Sequence, residues 1–306
     1  MKRTLILIAI SLSFAKVHAE EIRVMSFNIW HGGDAGGQPL SQTIKAIRAA
    51  KADIVGLQET HGHAANGVRR DNGQQIADVL GCNYFDQGDR TGILSRFPIE
   101  AATEKKWGVE IEYSAGKTLL FANAHFPSSP YQPYQLLNIP YGNAPFITTE
   151  AQAIEWANKS RGANVGRLLL DLEPSLKKGT PIVLTGDFNE PSFQDWTPRA
   201  VDAKLCPIEV HFPATKRVTS AGFVDAWRAV HPDEVKSPGW TWTPTTAPDD
   251  PKDKHDRIDF VFVTAAHIEV TKCERVAEPG NSEITVAPWP SDHRAVVATI
   301  EIQTPR

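Results

Sequence analysis

Residues 181–191 read Pro-Ile-Val-Leu-Thr-Gly-Asp-Phe-Asn-Glu-Pro, and this stretch decides the fold assignment. The apolar, β-branched run at its start predicts a buried strand that ends in Gly-Asp-Phe-Asn, just before a proline. Because side chains two positions apart in an extended chain point the same way, Asp187 and Asn189 would lie side by side at the strand end. An Asx-type turn is the alternative interpretation. A carboxylate next to a carboxamide in this position favours a functional site.

The N-terminal residues 1–19 predict a secretory signal peptide. Two basic residues precede an apolar run, Leu5 to Ala15, and residues 17–19 have the small-x-small pattern of a cleavage site. The run is too short for a membrane span, and no later run is long and apolar enough for a transmembrane segment. We therefore expect a secreted or periplasmic protein whose catalytic domain comprises residues 20–306.

Composition limits the function classes. The 306 residues carry a formal net charge of −4 and are 41% hydrophobic, which suits a single large domain. Loss of residues 1–19 leaves 29 Lys and Arg against 36 Asp and Glu, a formal net charge of −7. An acidic chain argues against non-specific polyanion binding as the main activity. An oxidising compartment allows one disulfide among Cys82, Cys206 and Cys273, and the sequence does not select the pair.

Strand-like runs alternate with helical patterns up to the C-terminus, and this mixture predicts a layered α/β sandwich with strands packed on strands. The predicted strands are 21–30, 53–59, 92–99, 117–126, 182–189, 240–243, 256–263, 267–276 and 295–302. The predicted helices are 41–50 with Ser41 as N-cap, 73–80, one capped by Thr149, 165–172, 192–196 and 223–230. Between them, residues 127–164 begin with an unusually long Pro/Tyr-rich loop, which is typical of a functional or disordered segment.

Eight polar residues fall at strand ends or in the turns that join strands. Each one alone has an ordinary explanation, such as a turn residue or a satisfied core histidine. Together they favour a site, because carboxylates beside apolar runs are costly to bury without a cation or partner. The oxygen-rich set suits Mg²⁺ or Mn²⁺, since neither thiolates nor paired histidines indicate zinc. The residues are Asn28, Glu59, His125, Asp187, Asn189, Asp259, Asp292 and His293.

These residues lie within a series of seven short motifs in chain order: Ser-Phe-Asn28, Leu-Gln-Glu59, Gly-Ile-Leu-Ser-Arg96, Ala-His125-Phe, Gly-Asp187-Phe-Asn189, Arg-Ile-Asp259-Phe and Ser-Asp292-His293. With this ordered set the chain resembles the endonuclease/exonuclease/phosphatase superfamily over nearly its whole length after residue 19. The resemblance implies a metal-dependent phosphoric ester hydrolase with a four-layer α/β/β/α sandwich. In that fold two mixed β-sheets pack face to face with helices outside, and the site lies at one edge between the sheets.

The resemblance also implies a metal site. Glu59 would be the principal ligand of Mg²⁺ or Mn²⁺, with Asn28 and Asp292 near the same cation. Phosphoester hydrolysis consists mostly of positioning and charge neutralisation, so a hard cation with a few donors suffices. Whether one or two ions bind stays open, because His61 and His63 would either contact a second ion or lie in a loop.

Five further residues have implied catalytic roles. Asp259 and His293 would form a pair that orients or deprotonates the attacking water or stabilises the transition state. Asp187 and Asn189 would align the nucleophile and hold a phosphate oxygen. His125 would contact a non-bridging oxygen or assist the leaving group. The sequence does not decide which residue is the general base.

Two substrate classes stay open. The first is a small or lipid-derived phosphoester, for which the tyrosines between Tyr131 and Tyr141 are candidates for peripheral lipid contact or a roof over the site. The second is DNA or RNA cleaved by an extracellular endonuclease or exonuclease, which requires basic residues around the cleft. The acidic charge favours the first, and we expect a monomer. The basic candidates are Arg69, Arg70, Arg90, Lys105 and Lys106.

Overall fold

The structure is a computed structural model that describes residues 21–303, so the predicted signal peptide lies outside the described residues. The strands in chain order are β1 (Glu21–Asn28), β2 (Ile54–Gln58), β3 (His61–Ala65), β4 (Val68–Asp71), β5 (Asn83–Gly88), β6 (Thr91–Ser95), β7 (Ile99–Ala102), β8 (Gly108–Ser114), β9 (Lys117–His125), β10 (Ile182–Asp187), β11 (Phe223–Asp225), β12 (Asp259–Thr264), β13 (Ile268–Ala277), β14 (Ile284–Thr285) and β15 (Ala295–Ile302). The helices are α1 (Leu40–Ala50), α2 (Asn72–Leu80), α3 (Gln132–Leu136), α4 (Glu150–Ala157), α5 (Ala163–Lys178), α6 (Pro198–Asp202), α7 (Pro213–Ser220) and α8 (Ala226–Val230). Among residues 21–303, no helix combines the length and apolar character that a membrane span requires.

Two mixed sheets form the middle of the molecule. The first has the strand order β14-β13-β15-β1-β2-β6-β5, and the second has the order β11-β12-β10-β9-β8-β7. In each sheet one central pair is parallel, β1 with β2 and β10 with β9, while the flanking strands β15 and β12 are antiparallel to it. Apolar side chains of both sheets, including Val24, Ile54, Phe121 and Val183, share one core. The sheets therefore pack face to face.

Helices cover the outer faces of both sheets. On the first sheet, Ile44 of α1 and Ile76 of α2 pack in one cluster with Phe27 of β1. On the second, Leu168 of α5 packs in another cluster with Leu184 of β10. Periodic apolar positions on the helices and alternating ones on the strands thus produce the layers. The predicted four-layer α/β/β/α sandwich is confirmed.

The two sheets approach each other closely at Gly56. A Cβ atom at this position would lie 2.1 Å from Thr185 Oγ1 and 2.5 Å from Asn123 Oδ1, so only glycine fits. Beside it, Gln58 Nε2 donates to Asn123 Oδ1 at 2.6 Å, and Asn123 Nδ2 donates to the Leu57 carbonyl oxygen at 2.9 Å. These buried bonds fix β2 against β9, and the ends of both strands lie at the edge that carries the polar residues.

Three of the predicted helix positions are wrong in detail. Residues 192–196 form turns, because the Ser192 hydroxyl accepts the Gln194 amide and competes with a helical turn. Phe223 begins strand β11, and the helix starts only at Ala226. The Asp225 carboxylate caps it by accepting the amides of Trp227 and Arg228. Ser41 lies inside α1 instead of capping it.

Other local predictions have mixed outcomes. Thr149 does cap α4, in a capping box with Gln152. His61 and His63 belong to β3 of a two-stranded hairpin and not to a loop. The predicted strand at 240–243 is reduced to isolated bridges from Trp242 to Asp256 and His293. The disulfide that the sequence allowed does not form, because the thiols are free in Cys82, Cys206 and Cys273.

Candidate active site

The ends of β1, β2, β9 and β10 and the start of β12 meet at one edge of the sandwich. Strand register brings them together, since Asp187 lies opposite both His125 of β9 and Asp259 of β12. Next to them is a cavity of about 530 Å³. Its polar wall contains Glu59 and, from other segments, Asp187, Asn189, Asp292 and His293.

A buried histidine–aspartate pair forms the back of the site. His293 Nδ1 lies 2.9 Å from Asp259 Oδ2, within hydrogen-bonding distance. Both residues are fixed through their backbones: the Asp259 amide donates to Thr241 Oγ1 and the His293 amide to Ser291 Oγ. Burial lowers the pKa of His293, but the negative charges of Asp259 and Asp187 outweigh burial and raise this pKa well above its usual value. The arrangement favours a charged imidazolium.

Asp187 connects the other predicted residues. Its Oδ2 accepts hydrogen bonds from Asn28 Nδ2 at 2.9 Å and from Asn189 Nδ2 at 3.3 Å. The same oxygen lies 3.5 Å from His125 Nε2 and 3.8 Å from His293 Nε2. Asn189 adopts a left-handed φ of 48°, which asparagine tolerates better than most residues and which turns its amide back toward Asp187.

Glu59 leaves the end of β2 with a left-handed φ of 60°, a costly conformation for a residue with a side chain and one that is concentrated at functional sites. Its Oε2 accepts the His31 amide at 2.9 Å and lies 3.1 Å from Arg90 Nη2. Burial alone raises the pKa of Glu59. The His31 hydrogen bond and the nearby His125 and Arg90 outweigh burial, so this pKa lies below its usual value. The Glu59 carboxylate is therefore ionised at neutral pH.

Asp292 carries a carboxylate whose charge is poorly compensated. Its Oδ1 is buried and has no hydrogen-bond partner among the described residues. Burial, together with the charges of Glu59 and Asp187 and opposed by His293, raises the pKa of Asp292 to about 6. A hard cation would give this oxygen a partner and would neutralise the buried negative charge of Asp292. The donor set of Asn28, Glu59 and Asp292 therefore fits Mg²⁺ or Mn²⁺.

A second group of donors has metal-compatible spacing. Asp187, Asp259 and His293 offer ligand atoms within 4.8 Å of one another. The 2.9 Å contact between His293 and Asp259 leaves no room for an ion between these two atoms, because it is a direct hydrogen bond. We therefore interpret this group as the hydrogen-bonded part of the site. Its roles stay predictions, as do those of the ligand set.

The predicted basic residues do not converge on the cavity. Arg90 lines it, with its guanidinium held by Glu59. Lys105 lines a separate groove and forms an ion pair with Glu104. His63 stacks on His31 with the ring centroids 5.4 Å apart.

Two residues of the cavity wall are absent from the sequence predictions. His31 is one, although its position three residues after β1, at a glycine-rich turn, is a usable signal. Trp242 is the other, and its ring centroid lies 5.0 Å from that of His293. No local pattern predicts this contact, because 50 residues separate the two positions in the sequence. Three tyrosines of the Pro/Tyr-rich loop line the cavity, as expected for a roof over the site: Tyr131, Tyr134 and Tyr141.

Two sequence comparisons find similarity to known proteins. The sequence profile of the Endonuclease/Exonuclease/phosphatase family matches residues 25–293. An uncharacterized protein of Caenorhabditis elegans is 28% identical over 319 residues, which covers 96% of each chain.

Solved structures share the fold. An endonuclease/exonuclease/phosphatase from Beutenbergia cavernae DSM 12333 has a TM-score of 0.58 at 18% identity, over 92% of this chain and 72% of that one. Truncated Caenorhabditis elegans TDP2 has a TM-score of 0.54 at 17% identity, over 92% and 97% of the two chains. The human nocturnin catalytic domain with bound sulfate has a TM-score of 0.53 at 16% identity, over 92% and 95%.

Proposed function

Because the chain belongs to the endonuclease/exonuclease/phosphatase family, whose members are phosphoester hydrolases, we propose that it is an exported, divalent-metal-dependent phosphodiesterase or phosphatase that acts on a small or lipid-derived phosphoester. One observation carries the proposal: the buried series of contacts from Asp259 through His293 to Asp187, which reaches the cavity wall. Export rests on the signal-peptide pattern of residues 1–19.

The metal would be held by Asn28, Glu59 and Asp292. Glu59 supplies an ionised carboxylate, and Asp292 supplies a buried carboxylate oxygen without a partner in the described residues. Mg²⁺ or Mn²⁺, when bound, neutralises phosphate charge and polarises the phosphoryl group. Arg90, now 3.1 Å from Glu59, is the nearest cationic side chain and would then be free to contact a phosphate oxygen.

His293 and Asp187 would act on the reacting groups. Asp259 accepts from His293 Nδ1, so that His293 Nε2 faces Asp187 and the cavity. Three carboxylates surround His293 and favour its charged form, which donates a hydrogen bond to a phosphoryl oxygen as negative charge develops there. Asp187 would align the attacking water and accept its proton, and Asn189 would hold Asp187 in place.

His125 would serve the leaving group. Its Nε2 lies 3.5 Å from Asp187 Oδ2, and its side chain is 19% exposed, so a proton can be exchanged with solvent. Protonation of the departing oxygen by a nearby imidazole is ordinary general-acid catalysis.

Nuclease activity is the second candidate, and Arg90 in the cavity wall is the observation that favours it. Lys105 lies in a separate groove, and the net charge of −4 does not favour polyanion binding. A small or lipid-derived phosphoester is therefore the better fit.

A panel assay tests the proposal. Purified protein with Mg²⁺ is given bis-p-nitrophenyl phosphate, p-nitrophenyl phosphate, sphingomyelin vesicles and plasmid DNA. We expect one of the first three to be hydrolysed with the highest kcat/KM. Preferred cleavage of plasmid DNA would establish the nuclease instead, and no hydrolysis of any substrate would contradict both candidates.

A further inference from the structure

Four aromatic side chains line one half of the cavity, and we call them the aromatic cage: Tyr131, Tyr134, Tyr141 and Trp242. The ring centroids of Tyr131 and Tyr134 are 5.0 Å apart at an interplanar angle of 88°. Those of Tyr134 and Tyr141 are 5.7 Å apart at 89°. Successive tyrosine rings therefore stand perpendicular to each other in edge-to-face contact, and together with Trp242 they make this side of the cavity aromatic.

The tyrosine hydroxyls are bound to carboxylates. Tyr131 Oη donates to Asp256 Oδ2 at 2.9 Å, and Tyr134 Oη donates to Asp253 Oδ1. Lys254 Nζ lies 3.2 Å from Asp256, whereas no cationic side chain of residues 21–303 forms an ion pair with Asp253. Negative charge therefore lies behind the rings, and donation to a carboxylate makes a phenol ring more electron-rich. Both effects attract a cation to the ring faces.

The cage is held in shape from behind. Arg161 is fully buried under the Pro/Tyr-rich loop, and its guanidinium donates to the Pro130 carbonyl oxygen at 2.9 Å and to Gln132 Oε1 at 2.7 Å. The buried carboxylate of Glu190 lies 4.0 Å from the same guanidinium. A preformed cage binds its ligand more tightly than a flexible one, because little conformational entropy is lost when the ligand enters.

The cage adjoins the proposed reaction centre. Trp242 connects the two: its ring centroid lies 5.0 Å from that of His293 in the reaction centre, and its Nε1 lies 3.3 Å from Tyr134 Oη in the cage. A phosphate held next to His293 would therefore extend one of its ester substituents into the cage. The cage thus selects the substituent on the phosphate.

We propose that this substituent is a quaternary ammonium group, so that the substrate is a phosphodiester of the phosphocholine type. The inference rests on the proposed function, because it assumes that a phosphodiester is hydrolysed beside the cage. A nucleic acid chain would require more Lys or Arg side chains on the cavity wall than Arg90 alone. A trimethylammonium head is compact, cationic and poorly hydrated, and it suits perpendicular aromatic walls.

Matched esters test the preference for charge. The three substrates are p-nitrophenyl phosphorylcholine, the p-nitrophenyl phosphate diester of 3,3-dimethylbutanol and thymidine 5′-p-nitrophenyl phosphate. The second has the shape of the first with carbon in place of the charged nitrogen. We expect kcat/KM for the choline ester to exceed that for its neutral isostere about tenfold, as a partly desolvated cation–π contact provides. Equal values, or a higher value for the thymidine ester, would overturn the cage proposal while leaving a working phosphodiesterase.

Calorimetric titration with choline and with 3,3-dimethylbutanol needs no turnover, so it distinguishes the two proposals. Tighter binding of choline without hydrolysis of any ester would support the cage and contradict the proposed function. Equal binding of both alcohols would overturn the cage whatever the activity. Glycerophosphocholine and phosphatidylcholine vesicles then distinguish a soluble from a lipid source of the same head group, and preference for either supports the cage.

Tyr141 provides the variant, because it is 42% exposed and its ring can be replaced without disturbing the core. Tyr141→Leu removes the aromatic face, and Tyr141→Phe is the matched control that keeps it. We expect the choline-to-isostere ratio to fall at least threefold in Tyr141→Leu and to persist in Tyr141→Phe. An unchanged ratio in the leucine variant would contradict the role of the ring.

Discussion

His293 Nδ1 lies 2.9 Å from Asp259 Oδ2, and both side chains are buried at the end of the sandwich where the strand ends converge. The two residues are 34 positions apart in the sequence, so the fold alone brings them together. A buried pair of this kind could serve stability or catalysis. The two roles predict different effects of the same substitutions.

We expect His293→Ala to lower the kcat of the folded protein by about 10²–10⁴-fold, because its hydrogen bond forms to charge that develops in the transition state. The melting temperature should also fall, because the buried Asp259 carboxylate loses its partner. Asp259→Asn should lower kcat less, since the imidazole remains. The double variant should be far from additive, because the pair acts as a unit. The measurements are kcat and thermal unfolding on all three proteins.

His211→Ala is the control, since that imidazole is 45% exposed and pairs with Glu150. His211→Ala should change neither kcat nor the melting temperature appreciably. A large fall in melting temperature with near-normal kcat for His293→Ala would assign the pair a structural role and leave Asp187 as the catalytic base without it.

Glu59→Gln should raise the Mg²⁺ concentration for half-maximal activity at least about tenfold, because it removes the ligand charge while an amide oxygen can still accept the His31 amide. A Mg²⁺ titration of activity measures the change. Glu104→Gln, at an exposed position, is the matched control and should leave the titration unchanged. An unshifted midpoint in Glu59→Gln would remove Glu59 from the ligand set.

The sequence predicted the sandwich and the residues of the polar wall because both depend on short-range patterns. Alternating apolar runs define strands, and a polar residue directly after such a run marks its end, as at Glu59 and Asp187. It also made the tyrosines between Tyr131 and Tyr141 candidates for a roof over the site, and three of them line the cavity, but it did not predict the contribution of Trp242. Tyr134 and Trp242 meet only through long-range packing, and Trp242 lies in a segment without regular structure. The short helices differ from the prediction for a local reason: side-chain caps such as that of Asp225 decide where a helix begins.

Glu190 predicts a pH dependence of stability. Complete burial, only partly opposed by Arg161 and the Ala214 amide, raises the pKa of Glu190 from 4.5 to about 7. The folded state therefore binds a proton that the unfolded state releases, so the free energy of unfolding should fall as pH rises from about 4.5 to about 7 and then level off. The contribution is about 3 kcal/mol at most.

Glu190→Gln resembles the protonated form and should flatten this decline. Urea unfolding at pH 5 and pH 7.5 gives the difference for each protein, and Glu209→Gln serves as the control at a more exposed position. The same pH dependence in wild type and Glu190→Gln would show that Glu190 is ionised throughout this range.

Gly56 predicts a steric effect between the sheets. Gly56→Ala introduces a Cβ 2.1 Å from Thr185 Oγ1, and the strands would have to move apart. We expect a destabilisation of about 1–3 kcal/mol, with loss of activity because the same strands carry Glu59 and Asp187. Gly166→Ala, in the first turn of α5, is the control. Its Cβ would meet only the end of the flexible Arg217 side chain, at 3.2 Å, so it should change stability little. Wild-type stability of Gly56→Ala in denaturant unfolding would contradict the close approach.

Metal dependence tests the central claim most directly. The protein is dialysed against EDTA, its residual metal is measured by mass spectrometry, and hydrolysis of the best substrate from the phosphoester panel is followed before and after Mg²⁺ or Mn²⁺ is added. A site built from Asn28, Glu59 and Asp292 predicts that activity disappears with the metal and returns with either ion. Full activity in the protein shown to be metal-free would contradict the account.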